Sequence, residues 1–132
     1  MTRSLYLGLG AALGAVAMAT LVAVAADSPT MDPVKISPQY YTVRVDNDRV
    51  RVYEWRMKPG EKEKMHSHPD GVLIILADAK IKSTSPDGTS TTTTLVNGDV
   101  KWRPALSHSL ENVGGTEAHA IAVELKSGPS QP

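Results

Sequence analysis

Turn-forming residues interrupt the chain at short intervals between residues 40 and 125, and this punctuation restricts the fold to one built from short strands. Pro59-Gly60, Asn97-Gly98 and Gly114-Gly115 separate segments rich in β-branched and aromatic residues, and Ser85–Gly88 reads Ser-Pro-Asp-Gly, a strong hairpin signal. No segment after residue 26 combines helical periodicity with helix caps. We therefore predict an all-β fold of about seven to nine antiparallel strands, arranged as a sandwich or a barrel.

Composition and turns together give the strand boundaries and the limits of the domain. We expect a single domain over 40–126, preceded by an arm or linker at 27–39, which carries three prolines, and followed by a disordered tail at 127–132. The predicted strands are Tyr40–Val45, Val50–Met57, Val72–Leu76, Ile81–Thr84, Thr89–Val96, Val100–Arg103, Leu106–Val113 and Ala118–Leu125.

The first 26 residues differ in character from the rest of the chain. Arg3 is followed by an uncharged stretch from Leu5 to Ala26, which ends in small residues. A basic start, an apolar segment and small residues at its end are typical of a secretory signal peptide, so we expect a periplasmic or secreted protein. The apolar stretch is long enough that an uncleaved membrane anchor is the alternative.

Charge and cysteine content exclude several classes of function. Fourteen basic residues balance fourteen acidic ones, which gives no electrostatic reason to expect a nucleic-acid or membrane partner. The chain has no cysteine, so any metal site must use histidine and carboxylate ligands, and no disulfide can support the small domain. A homodimer would enlarge the surface that such a domain buries.

The chain has only four histidines, and they are not scattered. His66 and His68 are two residues apart, and on an extended strand such residues point to the same face. His108 follows about 40 residues later, in another predicted strand, and His119 lies in the last one. An H-x-H pair by itself is weak evidence, because on an exposed strand it is only a polar face.

The surroundings of these histidines resemble the two motifs of the cupin superfamily. Five residues separate Pro59-Gly60 from His66-Ser67-His68, as in the first motif. Gly98-Asp99, Pro104, His108 and Asn112 are similar to the second, although the step from the proline to the histidine is one residue shorter than usual. The resemblance covers roughly residues 40–125 and is nearest to small exported single-domain cupins.

This resemblance implies a jelly-roll barrel with one divalent metal ion in its mouth, held by His66, His68 and His108. The glutamate that cupins usually add as a ligand is replaced here by Leu73, and the later glycine by Lys80. Asp70 is a poor substitute for that glutamate. Strand parity groups Glu124 with Ala118, Ala120 and Ala122, whereas His119 shares a face with the bulkier Ile121, Val123 and Leu125, so we expect the His119 face to be the core.

The candidates for a substrate pocket are fewer. Tyr53, Trp55 and Met57 alternate along one predicted strand and, with Trp102, are candidates for an apolar pocket wall; ordinary barrel core is the alternative. Arg56 and Arg103 would suit an anionic ligand if they faced inward, but we expect both to be exposed. We expect Pro59, Gly60, Gly98 and Asn112 to serve turns and scaffold.

Three functions remain open at this point. Three neutral imidazoles would leave the full charge on a divalent ion such as Fe, Zn, Mn, Ni or Cu, and would favour a small, anionic, chelating ligand. The chain is then a metal-dependent enzyme of dioxygenase or isomerase type, or a non-catalytic metal or ligand carrier of the cell envelope. A barrel with a vestigial metal site and an interaction role is the third alternative.

The composition of residues 1–26 generates a prediction about processing. If this segment is a cleaved signal peptide, N-terminal sequencing of the protein from its native cell envelope should begin near Ala26 or Asp27. A chain that still begins at Met1 or Thr2 and fractionates with membranes would instead show an anchor.

Overall fold

The computed structural model describes residues 31–127, and these form a β structure with two short helical turns. The helical turns are α1 (Pro33–Ile36) and a 3-10 turn (Pro38–Tyr40). The strands are β1 (Tyr41–Asp46), β2 (Val50–Met57), β3 (Lys62–His68), β4 (Gly71–Ile75), β5 (Ala79–Thr84), β6 (Ser90–Leu95), β7 (Val100–Arg103), β8 (Leu106–Asn112) and β9 (Ala118–Leu125). The all-β prediction is confirmed; the expected signal segment, and the expected tail after residue 127, lie outside the described residues. Within residues 31–127 no helix has the length and apolar character needed to cross a membrane.

Two antiparallel sheets face each other. One has the strand order β1-β2-β9-β4-β7 and the other the order β3-β8-β5-β6. Sequence neighbours such as β3 and β4 therefore lie in different sheets, which is the connectivity of a jelly-roll barrel. The core between the sheets contains Tyr53, Trp55, Met57, Ile75 and Ile81, together with alanines of β9.

The strand that carries two of the candidate ligands has little strand character in its sequence. β3 reads Lys-Glu-Lys-Met-His-Ser-His, and composition alone assigns no strand there. It is extended because it pairs with β8, where His66 lies opposite His108 and His68 opposite Leu106. Pairing with a neighbouring strand overrides the low β propensity of its residues.

A β-bulge in β3 sets which of its side chains point inward. The register with β8 shifts between Glu63 and His66, so one extra residue lies on the β3 side. In a regular strand residues 63 and 66 would face opposite ways, whereas here Glu63, His66 and His68 are all buried. The bulge thus adds a buried carboxylate to the face that carries the two histidines.

The prediction that the His119 face of β9 belongs to the core is wrong. Ala118, Ala120, Ala122 and Glu124 are the buried residues of this strand, and His119 lies on the opposite face. β9 pairs with β2 on one side and β4 on the other, so it runs through the middle of its sheet. Both faces of such a strand are apolar enough to suggest a core, and the small residues face inward because the barrel interior holds a cavity.

The segment before β1 packs against the barrel. Asp32 caps α1 by accepting a hydrogen bond from the Val34 backbone N–H at 3.1 Å. The backbone N–H of Ser67, between the two histidines of β3, donates to the Met31 carbonyl at 2.7 Å. Pro33 and Ser37 are buried. This arm therefore supports β3 from outside, next to the candidate ligands.

The start of β4 provides a test of how tightly the sheets are built. A Cβ added at Gly71 would lie 2.5 Å from the Val123 backbone oxygen, whereas one added at Gly115 would meet nothing within 4 Å. Gly71→Ala should lower the free energy of unfolding by about 1–3 kcal/mol, because the backbone of β9 must move. Urea unfolding measures this, with Gly115→Ala as the control. Equal stabilities for the two variants would contradict the described register of β4 and β9.

Candidate metal centre

His66, His68 and His108 converge inside the barrel. One ligating nitrogen of each lies within 4.8 Å of those of the other two, and no other group of metal-ligating side chains within residues 31–127 meets so closely. The ring centroid of His66 is 4.7 Å from that of His68 and 4.8 Å from that of His108. The ring centroids of His68 and His108 are 5.3 Å apart. The antiparallel pairing of β3 with β8 brings the three rings together.

The Nδ1 atom of His66 is held by its own strand. It lies 2.7 Å from the carbonyl oxygen of Lys64, a residue of the bulge. Since a carbonyl oxygen only accepts hydrogen bonds, this Nδ1 carries the proton and Nε2 keeps a free lone pair. That Nε2 is buried and has no hydrogen-bond partner in the described part of the chain.

The Nδ1 atom of His68 is held by a buried carboxylate. It lies 2.8 Å from Oε1 of Glu124 and 3.1 Å from the Tyr53 hydroxyl. Because an ionised carboxylate only accepts, His68 donates from Nδ1, and its Nε2 is the nitrogen left for a ligand. Carboxylate–histidine pairs of this kind orient metal-binding imidazoles and increase their basicity.

His108 completes the set from the neighbouring strand. Its Nδ1 lies 3.0 Å from the hydroxyl oxygen of Ser83 on β5. Its Nε2, like that of His66, is buried without a hydrogen-bond partner among residues 31–127. Each ring is therefore fixed at Nδ1 by a carbonyl, a carboxylate or a hydroxyl, and Nε2 is the nitrogen left for a ligand.

Burial keeps the three imidazoles neutral. It lowers the pKa of His66 to about 4 and the pKa of His108 to about 3, and the neighbouring imidazoles add to the effect. The pKa of His68 is lowered by burial as well, although the hydrogen bond to Glu124 opposes the shift. The lowered pKa values favour the neutral imidazole, in which one ring nitrogen carries no proton and can bind a metal ion.

Glu124 is the centre of a buried charge network. The residue is 2% exposed, and its Oε2 accepts from Arg51 Nη2 at 2.7 Å and from Nε at 3.0 Å. Its Oε1 accepts from Tyr53 at 2.9 Å and from Arg103 at 3.2 Å, besides His68. Burial alone would raise the pKa of Glu124, but these hydrogen bonds and the charge of Arg51 lower it to about 2.

The network reaches the arm that precedes the barrel. Arg51 forms an ion pair with Asp32 at 2.9 Å as well as with Glu124. Asp32 is also the cap of α1. Asp32 of the arm is thereby connected to His68 through Arg51 and then Glu124.

A second buried carboxylate lies beside the histidines. Glu63 accepts a hydrogen bond from the Tyr41 hydroxyl, and its Oε1 is 3.4 Å from Nδ1 of His66. Burial raises the pKa of Glu63 to about 7, and the hydrogen bond from Tyr41 offsets part of that effect. Glu63 is inward-facing only because of the bulge, so its spacing in the sequence gives no sign of it.

A cavity of about 320 Å³ opens beside the histidines. Its lining is mostly aliphatic and aromatic, with two basic side chains, and among the described residues it includes no aspartate or glutamate. The lining residues are Tyr41, Tyr53, Trp55, His68, Leu73, Ile75, Ile81, Ser83, Thr93, Leu95, Lys101, Trp102, Arg103, Pro104, Leu106, His108, Leu110, Ala120 and Ala122.

The four residues expected to form a pocket wall are placed differently from one another. Tyr53 and Trp55 are buried and line the cavity, whereas Met57 is buried in the core away from it. Trp102 also lines the cavity, yet it is 58% exposed. Leu73, at the position of the usual cupin glutamate, lines the cavity too.

Of the two arginines expected to be exposed, one is exposed and the other is buried. Arg56 is exposed as expected and pairs with Glu54 and Glu117. The expectation that Arg103 is exposed is wrong, because it is 9% exposed and lines the cavity. Asp70 is exposed and accepts from the Ala105 backbone N–H at 2.7 Å, outside the histidine cluster.

Two further candidates have structural roles. His119 lies on the outer face of β9, where its Nε2 is 2.8 Å from Oε1 of Glu54. Asn112 donates to the carbonyl oxygens of Met57 and Thr116, which ties the end of β8 to its neighbours. Gly60 and Gly98 have positive φ angles of 81° and 92° in the turns that precede β3 and β7.

Sequence reasoning missed Glu124, Glu63 and Lys101 as parts of this site. For Glu124 the spacing did contain a signal, since it shares parity with three small residues that suit a cavity wall. For Lys101 and Arg103, β7 has alternating apolar and basic residues, and the basic ones face inward. Hydrophobicity alone predicts the opposite orientation.

The residues present fit a metal ion of the kind that the resemblance implies. Two buried imidazole nitrogens have no partner in the described residues, and unpaired buried polar atoms are uncommon in folded proteins. Uncharged imidazoles suit Zn, Cu, Fe and Ni ions. His66, His68 and His108 would hold the ion, and His68 and His108 also line the cavity.

The comparisons with known proteins agree with this geometry. Over 87 residues the chain is 34% identical to the β-alanine degradation protein BauB of Pseudomonas aeruginosa, a match that covers 64% of this chain and 90% of that protein. A cupin domain of Bordetella pertussis superposes with a TM-score of 0.61 at 34% identity, covering 66% of this chain and 92% of that domain. No family model matches the chain.

More distant structures support the fold alone. A double-stranded β-helix protein of Klebsiella pneumoniae has a TM-score of 0.53 at 19% identity, and covers 69% of this chain and 78% of its own. Two facing antiparallel sheets with a histidine cluster between them define a double-stranded β-helix barrel with a candidate metal centre. With the two relatives at 34% identity, the chain belongs to the cupin superfamily.

The hydrogen bond between Glu124 and His68 generates a prediction about metal affinity. Glu124→Gln removes the charge that orients the ring, and should weaken Zn²⁺ binding by about 10–100-fold. Competition with a chromophoric chelator measures the affinity. Glu117→Gln, which removes an exposed carboxylate, is the control and should leave affinity unchanged.

Because Glu124 also forms salt bridges with two arginines, its variant needs a check of folding by circular dichroism. If Glu124→Gln does not fold, Tyr53→Phe removes a neutral partner of the same carboxylate and should give a smaller loss of affinity. Unchanged Zn²⁺ affinity in a folded Glu124→Gln variant would show that the carboxylate does not support the ligand.

Proposed function

We propose that this chain is a metal-binding cupin that holds one divalent ion on His66, His68 and His108 and binds a small carboxylate beside it. The observation that carries the proposal is the shared arrangement of the rings. Each Nδ1 is engaged by a hydrogen bond, while one nitrogen of each ring lies within 4.8 Å of the others. Such an arrangement is costly for buried imidazoles unless a common ligand satisfies them.

The charge of the cavity supports an anionic ligand. Lys101 and Arg103 line it, and the described part of the lining has no acidic side chain. Three neutral imidazole ligands also leave the full charge of a divalent ion in place, which favours an anionic partner. A carboxylate, an enolate or a hydroxy acid has the required chemistry.

The named relative is compatible with this ligand class. BauB of Pseudomonas aeruginosa is described as a β-alanine degradation protein. β-Alanine carries a carboxylate, the group that the cations of the cavity would bind. We carry over to this chain only that class and not the particular compound.

A metal-dependent reaction on the bound carboxylate is the second candidate, and it is favoured because His68 and His108 line the cavity. The bound ion would supply Lewis-acid or redox chemistry, of the dioxygenase or isomerase type. Carriage without turnover is favoured by the scarcity of acid–base groups, since the cavity-lining tyrosines have pKa values raised by burial. Oxygen uptake and product analysis with the metal-loaded protein distinguish catalysis from binding.

Metal content tests the proposed ligand set. Protein purified without chelator should contain about one divalent ion per chain. His108→Ala should lower Zn²⁺ affinity by more than about 100-fold, since loss of an outer hydrogen-bond partner alone costs 10–100-fold. Mass spectrometry of bound metal and chelator competition provide the two measurements.

His119→Ala is the matched control, because it removes an imidazole from the outer face of the same barrel. It should leave metal content unchanged. Stoichiometric metal in the His108→Ala protein would refute the three-histidine centre.

A further inference from the structure

We propose that the cavity selects carboxylates with an apolar body, and that Lys101 and Arg103 form the subsite for the carboxylate group. The proposal deepens the proposed function, because the carboxylate would lie beside the three histidines. The ligand class is narrower than small anions in general. It excludes zwitterionic amino acids, which carry an ammonium group as well as a carboxylate.

Arg103 has an unused hydrogen-bond donor. Its guanidinium donates to Glu124 Oε1 at 3.2 Å from Nη2 and to the Tyr53 hydroxyl at 3.4 Å from Nη1. Arg103 is 9% exposed, and its Nε atom is buried without a hydrogen-bond partner among the described residues. A buried guanidinium nitrogen without an acceptor is costly, and a bound carboxylate oxygen would satisfy it.

Lys101 adds a second positive charge on the same strand face. It lies two residues from Arg103 on β7, so both side chains point to the cavity. Its ammonium group is 3.4 Å from Asp99, and its side chain is 40% exposed, which leaves it able to reach a ligand. Arg103 shares an oxygen of Glu124 with His68, so this pair of cations lies beside the histidine cluster.

The remainder of the cavity is suited to an apolar group. Trp55, Ile75, Leu95 and Leu110 contribute to its wall, and Ala120 and Ala122 leave space where larger residues would fill it. Burying an apolar group against this wall favours binding in proportion to the area removed from water.

A ligand ammonium group would be disfavoured in the same cavity. Its lining includes two cations and, within residues 31–127, no carboxylate. Glu124 is buried and is already paired with arginines. An ammonium group would lose its hydration without gaining a counter-charge. The cavity therefore distinguishes a carboxylate that ends in an apolar group from one that ends in an ammonium group.

The compounds that test this are 3-phenylpropionate and β-alanine, which share a carboxylate on a two-carbon chain and end in a phenyl ring or an ammonium group. Isothermal titration of the Zn²⁺-loaded protein should show 3-phenylpropionate binding at least about 10-fold more tightly than β-alanine. The neutral 3-phenylpropanamide should also bind at least about 10-fold more weakly, since it lacks the charge. Equal or tighter binding of β-alanine would overturn the proposal.

Variants of the two cations test the subsite. Lys101→Met should weaken 3-phenylpropionate by about 3–10-fold and leave the amide unchanged. Arg103→Lys keeps the charge but loses the planar fork, and should also weaken the acid selectively. Lys126→Met is the matched control, since Lys126 has the same 40% side-chain exposure and also pairs with an aspartate.

Repeating the titrations on metal-free protein separates the two proposals. Binding of 3-phenylpropionate that depends on Lys101 in a protein unable to hold Zn²⁺ would preserve the subsite and refute the metal centre. Binding that requires Zn²⁺ but is unaffected by Lys101→Met and Arg103→Lys would preserve the metal centre and refute the subsite.

Discussion

The buried carboxylate of Glu124 is the interaction on which the rest of the site depends. A single ionised side chain accepts hydrogen bonds from Arg51, Arg103 and Tyr53 and fixes the ring of His68. These partners offset the cost of burying the charge, and removal of Glu124 itself would leave Arg103 without a carboxylate partner among the described residues. The arrangement joins β2, β3, β7 and β9, so the packing of the barrel and the orientation of the ligand are maintained by the same bonds.

The bulge in β3 is the second constraint. By adding one residue between Glu63 and His66 it turns both side chains inward and presents the Lys64 carbonyl to Nδ1 of His66. Bulges of this kind aim side chains at functional sites at the cost of a regular ladder. The Met31 carbonyl, which accepts from the Ser67 N–H on the outer side, stabilises the strand just beyond the bulge.

Local sequence patterns predicted much of the framework. Turn residues marked most strand boundaries to within a residue or two, and the period of two along a strand placed His66 and His68 on one face. The same rule failed on β9 and β7, where both alternating faces were plausible. Alanines line the cavity on β9, and basic residues line it on β7, because an interior that holds a ligand is not the most hydrophobic surface available.

The sequence by itself determined the all-β class and the turns, because these follow from backbone conformation, and its resemblance to the cupin motifs identified the three clustered histidines. Only the tertiary structure decided which carboxylate supports His68, which strand faces turn inward and where the cations lie. Glu124 is 56 residues from His68 in the chain, yet 2.8 Å from it in space. Such a contact depends on strand register and on one bulge, and neither leaves a local pattern in the sequence.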